Sequence, residues 1–246
     1  IRIVCGPATE AACPARSVVL PALASLGVTR LDLVVASHAD LDHAGGLAAV
    51  IEGFAVDELW LPAGAAADER FRGLRERAAA RGVPVRAIAL GAPLRRFGDL
   101  SVTALWPPPT ELDGSPVVGN DGSLVLRVEI ENHSLLLVGD LGLRSEARLL
   151  EQPESLRADV LKVGHHGSAG SSGAPFLAAV APSVALVSAS CGGRKNLPDA
   201  GALARLRAAG AAVWWTGRDG AVVVGLDAAA ASPVVASVAE SRICVP

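Results

Sequence analysis

Short apolar runs alternate along this chain with stretches of helical period, and Gly and Pro mark most of the boundaries. Residues 17–26 carry apolar side chains at helical spacing and stop at Gly27, which predicts a first helix. Residues 30–36 form a Leu/Val run short enough for a buried strand. From His43 the sequence turns into a helix through Val50, and residues 56–61 read as the next strand. Residues 68–81 form an amphipathic, Arg-rich helix closed by Gly82 and Pro84, with short strands expected at 85–89 and 100–106. The run Pro107-Pro108-Pro109 ends that half. Residues 123–130 and 134–138 are two β-rich runs joined by the polar turn Glu131-Asn132-His133, a hairpin signature that delivers Asp140 at its far end. Helix, strand, helix, strand and helix are then expected at 143–150, 159–163, 174–180, 184–188 and 201–209, and a last hairpin at Arg218-Asp219-Gly220.

Strands in two sets, with helices between and after them, fit two sheets covered by helices. The expectation is an α/β fold, an αββα sandwich, although periodicity alone equally permits one doubly wound sheet. With 246 residues and 51% hydrophobic content, the chain can bury the core of one large domain, taken as residues 1–246, without disulfides or partners. No window approaches the apolar length needed to span a bilayer, so no membrane insertion is expected. The chain opens on Ile1 in what reads as a strand and contains no Met, which suggests a piece of a larger protein. A net charge of −3 supplies no global field for a polyanion, so nucleic-acid binding has to be local or tethered. The four cysteines show no CxxC spacing, which argues against a structural zinc site. Cys5 with Cys13 is the favoured disulfide pair, and four idle thiols are an equal alternative on sequence alone.

Ser37-His38-Ala39-Asp40-Leu41-Asp42-His43 concentrates four ligand-type side chains in six residues, on a loop that leaves a strand. Such a loop can point His38, Asp40, Asp42 and His43 at one centre, as divalent cations require, and no packing role explains them. Nitrogen and oxygen donors without thiolate suit zinc, manganese or iron. Asp140, at the exit of the run Leu135-Leu136-Leu137-Val138-Gly139, is on its own more readily a cap than a ligand. It gains weight because two adjacent cations need a bridging carboxylate. A second loop, Gly164-His165-His166-Gly167-Ser168, offers paired histidines: one is expected to be a ligand, the other a hydrogen-bonded partner or catalytic acid. Lys162, two residues before that loop, could bind an anionic substrate if it faces the site. His133 is read as a solvated turn residue and set aside.

SHADLDHAGGL, NDGSLVL at 120–126, LLLVGD at 135–140 and LKVGHHGS at 161–168 together resemble the metallo-β-lactamase-like domain at the C-terminal end of the ComEC family, the channel proteins of bacterial DNA uptake. The resemblance runs from about Ile1 to Gly225. It implies a metal-dependent hydrolase of αββα fold on the extracytoplasmic face of the inner membrane, a soluble domain beside the membrane-channel portion of the same polypeptide. The implied substrate is DNA, single-stranded, the strand that is not imported. The implied cofactors are two divalent ions, Zn or Mn. By motif, Asp42, His43 and His165 would hold one, His38 and Asp40 the other, with Asp140 bridging; Asp42, His166 and Lys162 are the candidate catalytic residues. Three departures stand out. Val4-Cys5-Gly6-Pro7 lacks an Asp the family carries near the end of the strand after its opening hairpin, Leu197-Pro198-Asp199 stands where the family has a His-Pro pair, and the third histidine of true β-lactamases has no counterpart between His43 and Asp140 except His133. Another hydrolase on the same scaffold (a lactonase, β-lactamase or small phosphoesterase) and a catalytically weak binding module remain the alternatives.

Overall fold

The computed structural model describes residues 15–66, 68–111, 113–191, 196–226, 230 and 232–237. A π-helical turn at Ala15–Val19 runs into α1 (Leu20–Ser25). The apolar run after it, expected as one strand, is two: β1 (Arg30–Leu31) and β2 (Val34–Val35) belong to different sheets. The ligand-rich segment forms α2 (Leu41–Ala44) and is followed by α3 (Leu47–Gly53), β3 (Ala55–Val56), β4 (Leu59–Pro62), α4 (Arg72–Ala80) and β5 (Val85–Ile88). The second half contains β6 (Arg95–Phe97), β7 (Leu100–Trp106), β8 (Val125–Ile130), β9 (His133–Leu137), α5 (Leu143–Leu149), β10 (Val160–Lys162), α6 (Ala174–Val180), β11 (Val184–Val187), α7 (Ala200–Ala208) and β12 (Ala212–Trp215). A short α8 (Thr216–Asp219) and the antiparallel pair β13 (Val222–Gly225) and β14 (Val234–Ser237) follow.

Strands β2, β4 and β5 form a three-stranded parallel sheet, and β1 pairs with β3 alongside it in sequence. The larger sheet has seven strands in the order β12-β11-β10-β9-β8-β7-β6. It is parallel from β12 to β9, where a helix connects each successive strand, and antiparallel from β9 to β6, where short turns join β6 to β7 and β8 to β9 and residues 107–124 join β7 to β8.

Three separate apolar clusters define the layering. One packs Val50, Ile51, Leu74 and Ala78 of α3 and α4 against Leu59 and Leu61 of β4. The middle one joins Trp60 and Ile88 to Val102, Leu126, Leu135 and Val160, so the two sheets face each other. The third sets Leu136, Leu161 and Ala185 of the large sheet against Leu149, Phe176, Leu177, Leu203 and Leu206 of α5, α6 and α7. Three interfaces make four layers, helices, sheet, sheet, helices, which is the expected αββα sandwich. Because Leu135 points into the middle cluster and Leu136 into the outer one, the strand has no polar face; this is why residues 135–138 read as an unbroken apolar run.

Two further sequence expectations are corrected. Residues 218–220 are not a hairpin turn: the Asp219 carboxylate accepts the Trp215 N–H at 2.8 Å and pairs with Arg218, closing a helical turn that carries the chain into a different sheet. His133 is not solvated but 5% exposed, because it opens β9 and its Nδ1 lies 4.0 Å from Asp159 Oδ2. It sits at the end of β9 opposite Asp140. Cys191 is disulfide-bonded, while the pair Cys5 and Cys13 lies outside the described residues. Among the described residues no helix is long and apolar enough to cross a membrane.

Candidate metal centre

Three loops, each leaving the C-terminal end of a parallel strand, converge where the two sheets meet. Such strand ends are where open α/β sheets collect ligands. The loop after β2 carries His38 and leads into α2; the loop after β9 carries Asp140; the loop after β10 carries His165 and His166. The Leu124 N–H donates to the Ser37 carbonyl at 2.7 Å, tying the small sheet's loop to the large sheet. Asp40 is the N-cap residue of α2 but its carboxylate makes no capping bond, which leaves both oxygens for other partners.

Gly139 turns the chain into Asp140 with φ +54°. A Cβ there would lie 2.8 Å from Ser123 Cβ and Oγ and 3.0 Å from Ser37 Cβ, so only glycine lets these three segments meet. Those two serines hold the histidines. Ser37 Oγ lies 3.1 Å from His38 Nδ1 and 3.2 Å from His43 Nδ1, and Ser123 Oγ accepts the Asp140 N–H at 3.0 Å and lies 3.4 Å from His38 Nδ1. With the Nδ1 atoms so engaged, the Nε2 atoms face the centre.

The paired histidines are backbone-strained. His165 (φ 45°, ψ 45°) and His166 (φ 55°, ψ 24°) are both left-handed, a conformation that costs an L-residue roughly 1–2 kcal/mol. Surrounding bonds enforce it: His165 N–H to Gly139 O at 3.1 Å, Ser171 Oγ–H to Gly164 O at 2.8 Å and Asp199 N–H to Gly167 O at 2.8 Å. Consecutive strained residues held this firmly are characteristic of functional loops. His166 Nδ1 lies 2.8 Å from the Ser188 carbonyl; a carbonyl only accepts, so Nδ1 donates and Nε2 is left with the lone pair that a metal needs.

His38 and Asp140 are 1% and 3% exposed. His43 Nε2 lies 3.1 Å from Asp140 Oδ1 and 3.0 Å from His166 Nε2; His166 Nε2 lies 3.4 Å from Asp140 Oδ2 and 3.5 Å from Asp42 Oδ2. Two ligand-type triads share this volume: His38, His43 and Asp140, and Asp42, His43 and His166. The remaining expected ligands are looser. Asp40 Oδ2 lies 3.8 Å from His38 Nε2, and His165 Nε2 lies 3.9 Å from Asp140 Oδ2 with its side chain 31% exposed. Of the paired histidines, therefore, the imidazole drawn inward is His166, where motif transfer expected His165. Lys162 is buried, its Nζ donating to the Val163 carbonyl at 3.1 Å; it faces the middle cluster with Val160, and its charge reaches His166 through space.

The electrostatics follow from crowding charge into a dry site. Burial, reinforced by His43, holds the His38 imidazole down at about 4. Burial would push the Asp140 carboxyl up, but His166 and His43 outweigh it and hold it well below the usual carboxylate range. His166 brings Asp42 down to about 2. Burial likewise opposes charge on His166, yet Asp140 and Asp42 raise it to about 8. Buried His38 Nε2 and Asp140 Oδ1 nevertheless have no hydrogen-bond partner of acceptable geometry, a costly state for buried polar atoms. A cation between them would satisfy both. The donor set is imidazole and carboxylate without thiolate, so the cluster could bind a divalent metal.

Sequence reasoning passed over Ser37, Ser123 and Ser188. The first two stand inside quoted motifs, SHADLDH and NDGSLVL, but a serine hydroxyl in a motif does not announce which ring nitrogen it touches. Leu197, in the place of an expected histidine, packs against the outer apolar cluster.

The chain matches the family model described as the metallo-beta-lactamase superfamily over residues 5–190. It is 32% identical over 181 residues to ComE operon protein 3 of Bacillus subtilis (strain 168), covering 74% of this chain and 23% of that protein. It is 32% identical over 216 residues to competence protein ComA of Neisseria gonorrhoeae, covering 86% of this chain and 28% of that protein. A third relative, the uncharacterized protein YcaI of Escherichia coli (strain K12), is 30% identical over 162 residues, covering 64% of this chain and 18% of that protein. The chain thus spans between 18% and 28% of the length of these curated relatives.

Proposed function

From the premise that this chain belongs to the metallo-β-lactamase superfamily, and from its 32% identity to two competence proteins, we propose that it is a metal-dependent phosphodiesterase that degrades the non-imported DNA strand during bacterial DNA uptake. The observation that carries the reading is the buried, convergent set of nitrogen and oxygen donors with orphaned His38 Nε2 and Asp140 Oδ1.

We assign the ligands by counting lone pairs. One imidazole Nε2 offers one lone pair, so His43 cannot serve both triads. Asp42, His43 and His166 would hold one ion, and His38, Asp40 and Asp140 the other. Asp140, whose two oxygens stand near His43 and His166, would be the carboxylate shared between the two sets. Two divalent ions there, Zn or Mn, would supply an acidified water and charge stabilisation at phosphorus. The protein's own residues do the rest. Ser188 fixes the His166 tautomer, Ser37 orients His38 and His43, and partly exposed His165 donates a proton to the leaving oxygen. Lys162 acts as a buried charge near His166, not as a substrate contact.

All four Trp and all four Phe of the chain are buried or half-buried, so no aromatic stacking platform for bases is present. Recognition of single-stranded DNA would rest on its phosphates and on tethering to a membrane-channel portion of the same polypeptide, on the extracytoplasmic face of the inner membrane. Tethering raises the local substrate concentration and offsets the net charge of −3. The chain's small share of its competence relatives supports that arrangement.

The test is hydrolysis of bis-(p-nitrophenyl) phosphate and of single-stranded DNA by protein loaded with Mn²⁺ or Zn²⁺. Turnover indifferent to base composition, lost on chelation and in Asp140→Ala, is expected. Absence of turnover with both substrates at every metal loading would overturn the proposal. Leu197 favours one second reading, a metal-binding module of low turnover; full metal content without hydrolysis would identify it.

A further inference from the structure

The residue that motif transfer makes a ligand, Asp40, is the most exposed of the set, and its environment contains a device absent from every motif above. Asp68 caps the short turn Glu69–Phe71, its Oδ1 accepting the Arg70 N–H at 3.0 Å. The same carboxylate takes the Arg70 guanidinium bidentately, Nε to Oδ1 at 3.0 Å and Nη2 to Oδ2 at 2.8 Å. The third nitrogen, Nη1, donates to Asp40 Oδ1. The turn itself is anchored: Phe71 is 1% exposed in the apolar cluster between α3, α4 and β4, and Arg75 donates to the Ala65 carbonyl at 2.6 Å. Arg70 therefore reaches Asp40 from a fixed base, although its own side chain is 51% exposed.

This arrangement fixes which Asp40 oxygen is available. Oδ1 is consumed by Arg70, and Oδ2 is the one 3.8 Å from His38 Nε2. Because Asp68 already balances the guanidinium, Arg70 orients Asp40 without cancelling the negative charge that attracts a cation. We infer that Asp68 and Arg70 form a positioning pair that holds Asp40 as the ligand of the ion at His38 and Asp140, and so sets the affinity of that half of the centre. The inference rests on the two-ion reading above.

Partners that orient a metal ligand typically govern about 10- to 100-fold in metal affinity when removed. The experiment is calorimetric titration of the metal-free chain with Mn²⁺, paired with electron paramagnetic resonance of the bound Mn²⁺ to count coupled ions. Wild type is expected to bind two ions. Arg70→Ala is expected to weaken the second by about 10- to 100-fold while leaving the first within about threefold, and Asp68→Asn to weaken the second less. Arg70→Lys, which keeps the charge but not the fork, should recover only part of the loss. Thermal unfolding of the metal-free variants checks the fold; if Arg70→Ala does not fold, Arg70→Lys and Asp68→Asn carry the test. Second-ion affinity that is unchanged or tighter in the folded variants overturns the inference alone. A wild-type chain that binds fewer than two ions overturns the two-ion reading, and the inference with it.

Discussion

Replacing Gly139 by alanine isolates how tightly the centre is assembled. At φ +54° an L-residue pays roughly 1–2 kcal/mol for its left-handed backbone. The added Cβ would also stand 2.8 Å from Ser123 Cβ and 3.0 Å from Ser37 Cβ, and overpacking of this kind costs roughly 1–3 kcal/mol more. Gly98 supplies the control: it has φ +60°, is exposed, and a Cβ there meets nothing within 4 Å. Gly98→Ala should therefore show the backbone cost alone, about 1–2 kcal/mol, and Gly139→Ala a total of about 2–5 kcal/mol. The assay is urea unfolding of both variants in chelator. The clash should also reach function, since Ser37 and Ser123 are the hydroxyls that face His38 and His43. Gly139→Ala should lose Mn²⁺ affinity by at least about tenfold, and Gly98→Ala should bind as wild type. If the two variants lose the same stability and keep the same affinity, the claim that Gly139 is required by close approach is wrong.

The remaining predictions concern protons and the loop around Ser172. His166 is raised to about 8 in the metal-free site, so below that pH its proton competes with a metal. Mn²⁺ affinity should rise about tenfold per pH unit up to about 8 and then flatten. The metal-free fold should show the opposite trend. A raised histidine stabilises fully below its unfolded value of about 6.5, and that stability is lost as pH rises through about 8, a fall of about 2 kcal/mol measurable by urea unfolding in chelator. Glu146, buried under the loop that follows the paired histidines, accepts Gly173 N–H at 2.9 Å and, in a short contact, Ser172 N–H at 2.5 Å. Glu146→Gln turns an amide NH₂ toward one of these donors and should cost about 1–3 kcal/mol, with faster hydrogen exchange at residues 172 and 173; unchanged exchange would remove Glu146 from the loop's support.

The sequence by itself determined the α/β alternation, most strand and helix positions, and the residue types of the centre. Those features are local: apolar period decides the face a segment buries, and no packing role explains His38, Asp40, Asp42 and His43 in six residues. The residue types alone could not say which of His165 and His166 turns inward, because neighbouring residues of the same type differ only in direction. That choice came from two successive left-handed residues held by Gly139, Ser188 and Asp199, all remote in sequence. The break between β1 and β2 was equally hidden, since one apolar run serves two sheets as readily as one. The solvated turn expected for His133 failed because burial depends on what lies across the strand, here Asp159. Most of all, Arg70 looked like one charge on an Arg-rich helix. Only the tertiary structure, which brings its guanidinium 30 residues back to Asp40, decided that it stands beside the candidate centre, because ion-pair geometry is a property of distance in space and leaves no period in the chain.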